Sequence, residues 1–316
     1  MHDGARIARP SPAAPAPDRI ALAIAAGALS PPPEGPVLAI RPGGPGLAAA
    51  IDPSRLTFEA RFRPLHDALA AAGLRVVQSA AGPAAMAAVG LSRARAASLG
   101  DVARALGLVP PGGLVAIEGA KTDGIDAVAR TVAAALPVEG AFAKAHGRAI
   151  WLRRPATLPE AVADWVAAAA PARTPQGFVT APGVFSPEGP DPGSLRLVGA
   201  LAGSLAASIA GRVADLGAGW GYLAHEALAR CPRIEAIDLY EAEARALELA
   251  RENVTDPRAS FHWADATALA RGAPGYDTVL SNPPFHAGRA ADPALGAAFV
   301  AAAARILKPS GRLLMV

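Results

Sequence analysis

The sequence predicts an α/β protein with two doubly wound domains, each a mostly parallel sheet covered by helices. Short apolar runs alternate with helical stretches in both halves of the chain, as βαβ units require. A proline-rich stretch at 153–192 interrupts this alternation and marks a boundary. The segments 108–117 and 307–316 share one pattern: a helix end, a Pro-Gly turn and an apolar strand. A repeated supersecondary unit explains that pattern, although any αβ loop tends to contain proline and glycine.

The first half begins with a Pro/Ala-rich stretch, residues 1–18, which we expect to be disordered. The apolar run 20–29 predicts a short amphipathic helix. A secretory signal is the alternative, which the prolines and Asp18 in front of the run disfavour. The later strands are predicted at 37–41, 74–78, 114–118 and 149–153, and the helices at 64–72 and 92–108. We assign 19–155 to a first domain, 156–178 to a linker and 179–316 to a second domain.

The second half repeats the alternation with clearer turns between its elements. Its predicted strands are 212–216, 234–239, 260–263, 278–281 and 312–316, and its predicted helices are 222–230, 242–253 and 293–307. In an open parallel sheet the ligand site lies outside the carboxyl ends of the strands. Functional residues are therefore expected directly after these strands.

Composition narrows the classes of protein that fit. The chain has 316 residues, 52% hydrophobic and 18% charged, which is a globular composition long enough for two domains. The net charge of +3 permits a polyanionic partner without requiring one. Cys231 is the only cysteine, so no intrachain disulfide forms, and a reducing, cytoplasmic compartment is expected. We expect neither a metal ion nor a membrane as a partner.

A glycine-rich loop follows the first strand of the second half. Asp215 lies at the end of that strand, and Gly217, Gly219 and Gly221 alternate before the next helix. Glycine lets the backbone approach a ligand closely, and the start of a helix presents unpaired amides. Dinucleotide-binding folds use such a loop too, but their G-x-G-x-x-G spacing differs from this alternation. The four residues predict a cofactor-binding loop.

Two further carboxylates follow the next two strands. Asp238 stands at the predicted end of the second strand, where a carboxylate accepts hydrogen bonds from a ribose diol. Asp265 follows the third strand and is placed to meet an adenine amine, with a helix N-cap as the alternative. With the glycine loop, they predict a cofactor that contains a nucleoside.

The tetrapeptide Asn282-Pro283-Pro284-Phe285 follows the fourth strand. The side-chain oxygen of Asn282 and the carbonyl of Pro283 can each accept one N–H of an amine, and Phe285 can stack on a flat base. An amine held in this way needs no strong general base at first, because alignment with an electrophile does most of the work. His286 is a possible proton acceptor, although a structural histidine is the alternative. A Pro-Pro turn capped by Asn282 is the non-catalytic alternative for the motif.

These residues resemble the class I S-adenosylmethionine-dependent methyltransferases, which have a Rossmann-like fold. The resemblance implies that residues 217–221 face the methionine part of S-adenosyl-L-methionine, Asp238 the ribose and Asp265 the adenine. It also implies that Asn282, Pro283, Pro284 and Phe285 are catalytic.

Within that class, Asn-Pro-Pro-Phe-His resembles the RsmC-like guanine-N2 methyltransferases of small-subunit (16S) ribosomal RNA. The segments 121–126, 142–148 and 183–194 resemble stretches of the same family. The resemblance implies an enzyme that binds ribosomal RNA, in the 30S subunit or an assembly intermediate. The alternatives are methylation of large-subunit rRNA, of DNA adenine or of a protein glutamine amide, or a non-catalytic RNA-binding or assembly module.

The family resemblance also bears on the domains. It implies that the first domain is a degenerate copy of the methyltransferase fold that serves folding or RNA docking. The family's catalytic sheet continues past its fifth strand with a helix and a hairpin, whereas this sequence stops at Val316 in that strand. We therefore expect the second domain to be truncated after its fifth strand.

Overall fold

The computed structural model describes residues 17–270, 272, 275–284, 286–287, 290–291 and 293–316. The described chain forms two compact units. We call residues 17–172 with 181–183 the amino-terminal unit, and residues 173–180 with 184–316 the carboxyl-terminal unit. Each unit is a doubly wound α/β sheet, so the predicted fold class is confirmed. Of the stretch predicted to be disordered, residues 1–16 lie outside the described residues, whereas Asp18 is ordered as the N-cap of helix α1 (Arg19–Ala25).

The amino-terminal unit contains a seven-stranded sheet in the order β3-β2-β1-β4-β5-β7-β6. Its elements are α1 (Arg19–Ala25), β1 (Val37–Ile40), β2 (Leu56–Glu59), α2 (Arg63–Ala71), β3 (Val76–Val77), β4 (Met86–Gly90), α3 (Arg95–Leu108), β5 (Leu114–Ala120), α4 (Ile125–Ala135), β6 (Val138–Lys144), β7 (Gly147–Arg153) and α5 (Glu160–Ala169). The first five strands are parallel, and β7 pairs antiparallel with β5 and β6. Each face of the sheet has its own apolar core, which is typical of a parallel sheet covered on both sides.

The carboxyl-terminal unit contains a parallel five-stranded sheet in the order β12-β11-β10-β13-β16. Its elements are β8 (Ala172–Arg173, at the boundary), β9 (Val179–Thr180), α6 (Pro192–Ala200), α7 (Gly203–Ser208), β10 (Gly211–Leu216), α8 (Tyr222–Arg230), β11 (Ile234–Glu241), α9 (Ala244–Asn253), β12 (Ala259–Trp263), β13 (Tyr276–Ser281), β14 (His286–Ala287), β15 (Ala290–Ala291), α10 (Pro293–Ile306) and β16 (Leu307–Met315). Helices α8 and α9 contribute to the core on one face and α10 to the core on the other.

The two sheets share the order of their first five strands. The order β3-β2-β1-β4-β5 of the amino-terminal unit corresponds to β12-β11-β10-β13-β16 of the carboxyl-terminal unit. The similar segments 108–117 and 307–316 lead into or contain the fifth strand of each sheet. The two segments thus lead to the same strand position in both sheets, but residues 307–311, predicted as a helix end and turn, belong to β16.

Several elements of the amino-terminal unit are not predicted by the sequence. The strands β2, β4 and β6 and the helix α4 are absent from the prediction. Strand β4 has two alanines among its five residues, and alanine gives little evidence of a strand because it is common throughout this chain. Strand β2 has only four residues, too few for a clear period.

The predicted linker, 156–178, is shorter in the structure. Residues 156–172 belong to the amino-terminal unit. Helix α5 lies in this stretch, and its residues Val162 and Trp165 are buried in the core that also contains Leu99 and Val102 of α3. Burial of a valine and a tryptophan ties this helix to the unit, because each removes a large apolar area from water. The sequence does predict a helix near residues 158–169, but the prolines around it place that helix in the linker.

No helix in the described ranges is both long enough and apolar enough to cross a bilayer. The same ranges contain no group of three or more His, Cys, Asp and Glu side chains that could hold a metal ion.

Candidate active site

The glycine loop joins β10 to α8 at the carboxyl edge of the sheet. Gly217, Gly219 and Gly221 have positive φ values of 71°, 56° and 91°, which residues with side chains adopt at a cost. A Cβ on Gly221 would lie 2.8 Å from Val254, whereas a Cβ on Gly219 would meet nothing within 4 Å. Gly221 therefore allows close packing of α8, and Gly219 leaves open space above the loop.

Two carboxylates lie beside this loop. Asp215 is fully buried, and neither of its oxygens has a hydrogen-bond partner among the described residues. Glu241, at the end of β11, accepts the backbone N–H groups of Gly219 and Glu243, each at 2.7 Å. Burial and then the charge of Glu241 raise the pKa of Asp215 to about 7. Burial of its carboxylate also raises the pKa of Glu241. The two carboxylates form a site beside the glycine loop that favours a positively charged group.

Asp238 does not lie where the sequence places it. Strand β11 is predicted to end at residue 239 but continues to Glu241. Asp238 is therefore three residues inside the strand, where it pairs in register with Ala214 of β10. The prediction that Asp238 stands at the strand end is wrong. The reason is that Tyr240 and Glu241 continue the ladder of hydrogen bonds after the apolar run has stopped.

The carboxylate of Asp238 is already satisfied. Its Oδ1 lies 2.8 Å from Nε2 of His262, and its Oδ2 accepts hydrogen bonds from Arg212 at 2.9 Å and from the Tyr276 hydroxyl at 2.8 Å. Burial alone would raise the pKa of Asp238, but these hydrogen bonds outweigh it and lower the pKa. Asp238 therefore holds four strands of the sheet together.

Glu241 occupies the strand-end position that the sequence assigns to Asp238. Each of its oxygens accepts one backbone N–H, and a carboxylate oxygen can accept two hydrogen bonds. Lone pairs therefore remain for a ligand, and part of the Glu241 residue is exposed to solvent. The signal in the sequence was an acidic residue two positions beyond the apolar run, ahead of the N-cap Glu243 of α9.

Asp265 follows β12 and caps a short 3-10 helix, residues Ala266–Ala268. Its Oδ1 accepts the backbone N–H of Thr267 at 2.8 Å and the Thr267 hydroxyl at 2.6 Å. The capping role, the alternative that the sequence left open, is therefore present in the structure. The adenine contact stays a prediction.

Asn282 follows β13 directly and is held next to the glycine loop. The Ser281 hydroxyl donates to the carbonyl oxygen of Leu216 at 2.8 Å, and the same two residues are partners in the parallel ladder. This register brings the end of β13 level with the beginning of the loop. Asn282 and residues 217–220 consequently line the same pocket.

The rest of the tetrapeptide is described in part. Pro283 is buried and Pro284 is exposed, so only the first proline is enclosed beside Asn282. Phe285, with its expected stacking role, lies outside the described residues, as does the side chain of His286.

A segment before α6 forms the opposite wall of the pocket. Phe185, Ser186, Asp191 and Ser194 line it together with the loop. Phe185 is 55% exposed, and its carbonyl accepts the indole N–H of Trp220 at 3.0 Å. The sequence pointed to 183–194 only as a stretch resembling a family segment, without roles for these residues.

Comparison with known proteins agrees with this architecture. Residues 176–316 match the model of the methyltransferase small domain. The structure of the Thermus thermophilus 16S rRNA N2 G1207 methyltransferase (RsmC), in complex with AdoMet and guanosine, superimposes with a TM-score of 0.73. The superposition covers 94% of this chain and 83% of that chain at 22% identity. At that identity the likeness shows the fold alone.

Curated relatives are named ribosomal RNA small subunit methyltransferase C. The protein from Photobacterium profundum is 36% identical over 137 residues, which is 43% of this chain and 38% of the relative. The protein from Shewanella sp. (strain MR-4) is 34% identical over 163 residues, or 49% of this chain and 44% of the relative. This chain thus spans about two fifths of the length of these relatives. The resemblance to the RsmC-like group of class I methyltransferases, predicted from the sequence, is confirmed.

The buried acidic pair predicts an unusual effect of Asp215→Asn on stability. The pKa of Asp215 is raised to about 7 in the folded protein, above its ordinary value in the unfolded chain. Its charge therefore costs stability increasingly as pH rises from about 4 to 7, and fully above that range. We expect Asp215→Asn to raise the thermal unfolding temperature at pH 8 and to have little effect near pH 4.

Asp277→Asn is the matched control for this experiment. Asp277 is paired with Lys308, with Nζ at 2.7 Å from both carboxylate oxygens, and this pairing lowers the pKa of Asp277. Removing its charge should leave the unfolding temperature at pH 8 unchanged or lower it. If Asp215→Asn also lowers the unfolding temperature at pH 8, Asp215 is not a strained carboxylate.

Proposed function

We propose that this chain transfers a methyl group from S-adenosylmethionine to the exocyclic N2 amine of a guanine in small-subunit ribosomal RNA. The observation that supports this most strongly is the position of Asn282, at the end of β13 in a pocket shared with the glycine loop. The names of the similar proteins, a 16S rRNA N2 methyltransferase and several small-subunit rRNA methyltransferases, supply the substrate class.

The residues around the loop fit the cofactor. S-adenosylmethionine supplies an electrophilic methyl group on a sulfonium and brings an ammonium group with it. Asp215 has two buried oxygens without hydrogen-bond partners in the described chain, and Glu241 adds a second carboxylate with a raised pKa. A cation near this pair would relieve their repulsion. The open space at Gly219 gives the ligand access to the backbone.

In this proposal each strand end contributes one contact to the cofactor or the substrate. Glu241 replaces Asp238 as the carboxylate that accepts the ribose hydroxyls, because it ends β11 and keeps lone pairs available. Asp265 remains the candidate for binding the adenine amine, because its carboxylate can accept further hydrogen bonds besides those of the cap. Residues 217–221 surround the methionine part.

Asn282 and Pro283 would hold the amine. The lone pair of an exocyclic amine on an aromatic base is delocalised into the ring, which makes the nitrogen a poor nucleophile. Hydrogen bonds from its two N–H groups to Asn282 Oδ1 and the Pro283 carbonyl favour a pyramidal nitrogen with its lone pair directed at the methyl group. Alignment of this kind accounts for many orders of magnitude in rate. The amine proton leaves to solvent after transfer.

Phe185 is a candidate platform for the target base. It is exposed although large and apolar, and it lies on the wall of the pocket that contains Asn282. The hydrogen bond from Trp220 fixes its backbone, so the ring is presented from a supported position. Aromatic side chains commonly stack on bases that have been taken out of a helix.

The RNA partner and the compartment follow from the substrate. A target in the 30S subunit or an assembly intermediate would place the protein in the cytoplasm, where ribosomes assemble. The amino-terminal unit, with the same strand order as the carboxyl-terminal unit, would serve folding or docking on RNA.

The direct experiment is transfer of a labelled methyl group to 30S subunits that lack the modification. We expect wild-type protein to yield labelled N2-methylguanosine in nucleosides analysed by mass spectrometry, and Asn282→Ala to lower kcat by roughly a hundredfold or more. Binding of S-adenosylhomocysteine to Asn282→Ala serves as the control for an intact pocket. A label that resists nuclease but not protease would indicate a protein amide instead, and full activity of Asn282→Ala would refute the role of Asn282.

Two isosteric variants separate the candidates for the ribose carboxylate. We expect Glu241→Gln to weaken S-adenosylhomocysteine binding about tenfold or more, because the diol loses a charged acceptor. Asp238→Asn should leave the affinity within about twofold and instead lower the unfolding temperature, because it disturbs the hydrogen bonds across the sheet. Calorimetry measures the affinity and thermal unfolding measures the stability. Weaker binding in Asp238→Asn, with unchanged binding in Glu241→Gln, would indicate that Asp238 holds the ribose.

Phe185→Ala tests the base platform. Loss of one stacked base contact is worth about 1–3 kcal/mol, so we expect KM for the RNA to rise about tenfold while affinity for S-adenosylhomocysteine stays unchanged. Phe185→Leu is the matched control, because it keeps an apolar side chain without an aromatic face. Equal KM values for all three proteins would exclude a stacking role.

A further inference from the structure

The amide of Asn282 has a definite orientation in the pocket. Its Nδ2 donates hydrogen bonds to Asp191 Oδ2 and to Ser194 Oγ, both at 2.9 Å. An amide nitrogen has two hydrogens, so both are used. No donor from the described residues meets the other side of the amide, its Oδ1.

The reverse orientation is disfavoured by electrostatics. A carboxylate can only accept hydrogen bonds, so a flipped amide would place Oδ1 against the negative oxygen of Asp191 and leave Nδ2 without this acceptor. The charge of Asp191 also strengthens the bond that it accepts, since hydrogen bonds to an ionised group are roughly twice as strong as neutral ones.

Asp191 is itself held rigidly at the start of α6. It is the N-cap of this helix, and its Oδ2 accepts the backbone N–H groups of Gly193 at 2.7 Å and Ser194 at 3.2 Å. The same oxygen therefore receives three donors, the third being Asn282. A helix cap and the amide are thus fixed by one atom, and the cap cannot turn without releasing the amide.

Gly193 completes the arrangement by having no side chain. A Cβ at this position would lie 2.9 Å from Asp191 Oδ2 and 3.5 Å from both terminal atoms of the Asn282 amide. The φ angle of Gly193 is not positive, so backbone conformation does not demand glycine here. A Cβ would therefore crowd the Asp191 oxygen that holds Asn282, whereas its distances to the amide itself are ordinary van der Waals contacts.

We propose that Asp191, Gly193 and Ser194 form an amide seat that positions Asn282 for catalysis. The proposal rests on the proposed methyl transfer. The seat engages both Nδ2 hydrogens, which leaves Oδ1 as the group that Asn282 presents to the substrate. The site therefore selects a nucleophile that donates N–H and excludes one that can only accept. These three residues act through Asn282 and are positioning residues.

The seat explains a pattern in the sequence that the function alone does not. Asp191-Pro192-Gly193-Ser194 lies 88 residues and more before Asn282, in a segment whose spacing D-x-G-S resembles only a helix start. In the folded chain, the aspartate caps the helix, the glycine makes room and the serine supplies the second acceptor. An ordinary helix start needs the capping aspartate, but it needs neither the glycine nor the serine.

A double-mutant cycle tests whether the seat acts through Asn282. We expect Ser194→Ala to lower kcat for methyl transfer to 30S subunits by about ten- to a hundredfold, with S-adenosylhomocysteine affinity within about twofold of wild type. Ser194→Thr, which keeps the hydroxyl, should restore most of the activity. In the Asn282→Ala background, Ser194→Ala should have no further effect on kcat. Ser204→Ala, a serine in neighbouring α7, is the control and should behave as wild type.

Additive losses in the cycle would overturn the proposal. A fall in unfolding temperature and cofactor affinity large enough to explain the loss of activity would also overturn it. Either result indicates that the contact between α6 and the end of β13 is purely structural.

A second measurement tests the amide seat without an activity assay. In ¹H–¹⁵N correlation spectra, the Asn282 side-chain amide is identified by its disappearance in Asn282→Ala. We expect its two protons to be well separated in shift and protected from solvent exchange, and expect Ser194→Ala and Asp191→Asn each to shift them. An Asn282 amide with the shifts and fast exchange of a free side chain would refute the seat. Wild type that shows the protected amide but transfers no methyl group to 30S subunits would refute the proposed function and leave the seat standing.

Discussion

The feature on which the site depends most is the burial of two like-charged groups, Asp215 and Glu241, beside the glycine loop. Asp215 has no hydrogen-bond partner in the described chain, and burial together with Glu241 raises its pKa to about 7. A protein that only needed to fold would gain from a neutral residue at this place. In the proposed function, the positive charge of the cofactor offsets the repulsion between these two carboxylates. The loop glycines keep the approach to this pair open.

The sheet determines where the other groups lie. Ser281 bonds to Leu216, so the end of β13 meets the beginning of the glycine loop. Asn282 thereby enters the cofactor pocket from one side, while the segment before α6 reaches it from the other. In the proposed function, β10 and β11 recognise charge, and β13 and α6 recognise the amine. The proposed methyl donor and acceptor therefore meet where the strand order of the sheet reverses.

The sequence predicts the fold and the location of the site better than the individual contacts. The alternation of apolar runs and helices predicts two doubly wound units, and the alternating glycines mark the loop. Asp238 is misplaced because the apolar run ends before the strand does, and a two-residue extension of β11 moves the strand end to Glu241. The contact between Asn282 and Asp191 joins positions 91 residues apart, and no local pattern encodes such a pairing. Strands rich in alanine, such as β4, are hidden because alanine is abundant everywhere in this chain.

The central claim is that the buried acidic pair is poised to accept a cationic cofactor. Its most direct test is calorimetric titration with S-adenosylmethionine at pH 7 in buffers of different ionisation enthalpy. Because binding of a cation would lower a pKa that starts near 7, the account predicts release of a fraction of a proton per site. Asp215→Asn should bind with an enthalpy that depends clearly less on the buffer. An enthalpy independent of buffer in the wild type, or the same dependence in Asp215→Asn, would contradict the account.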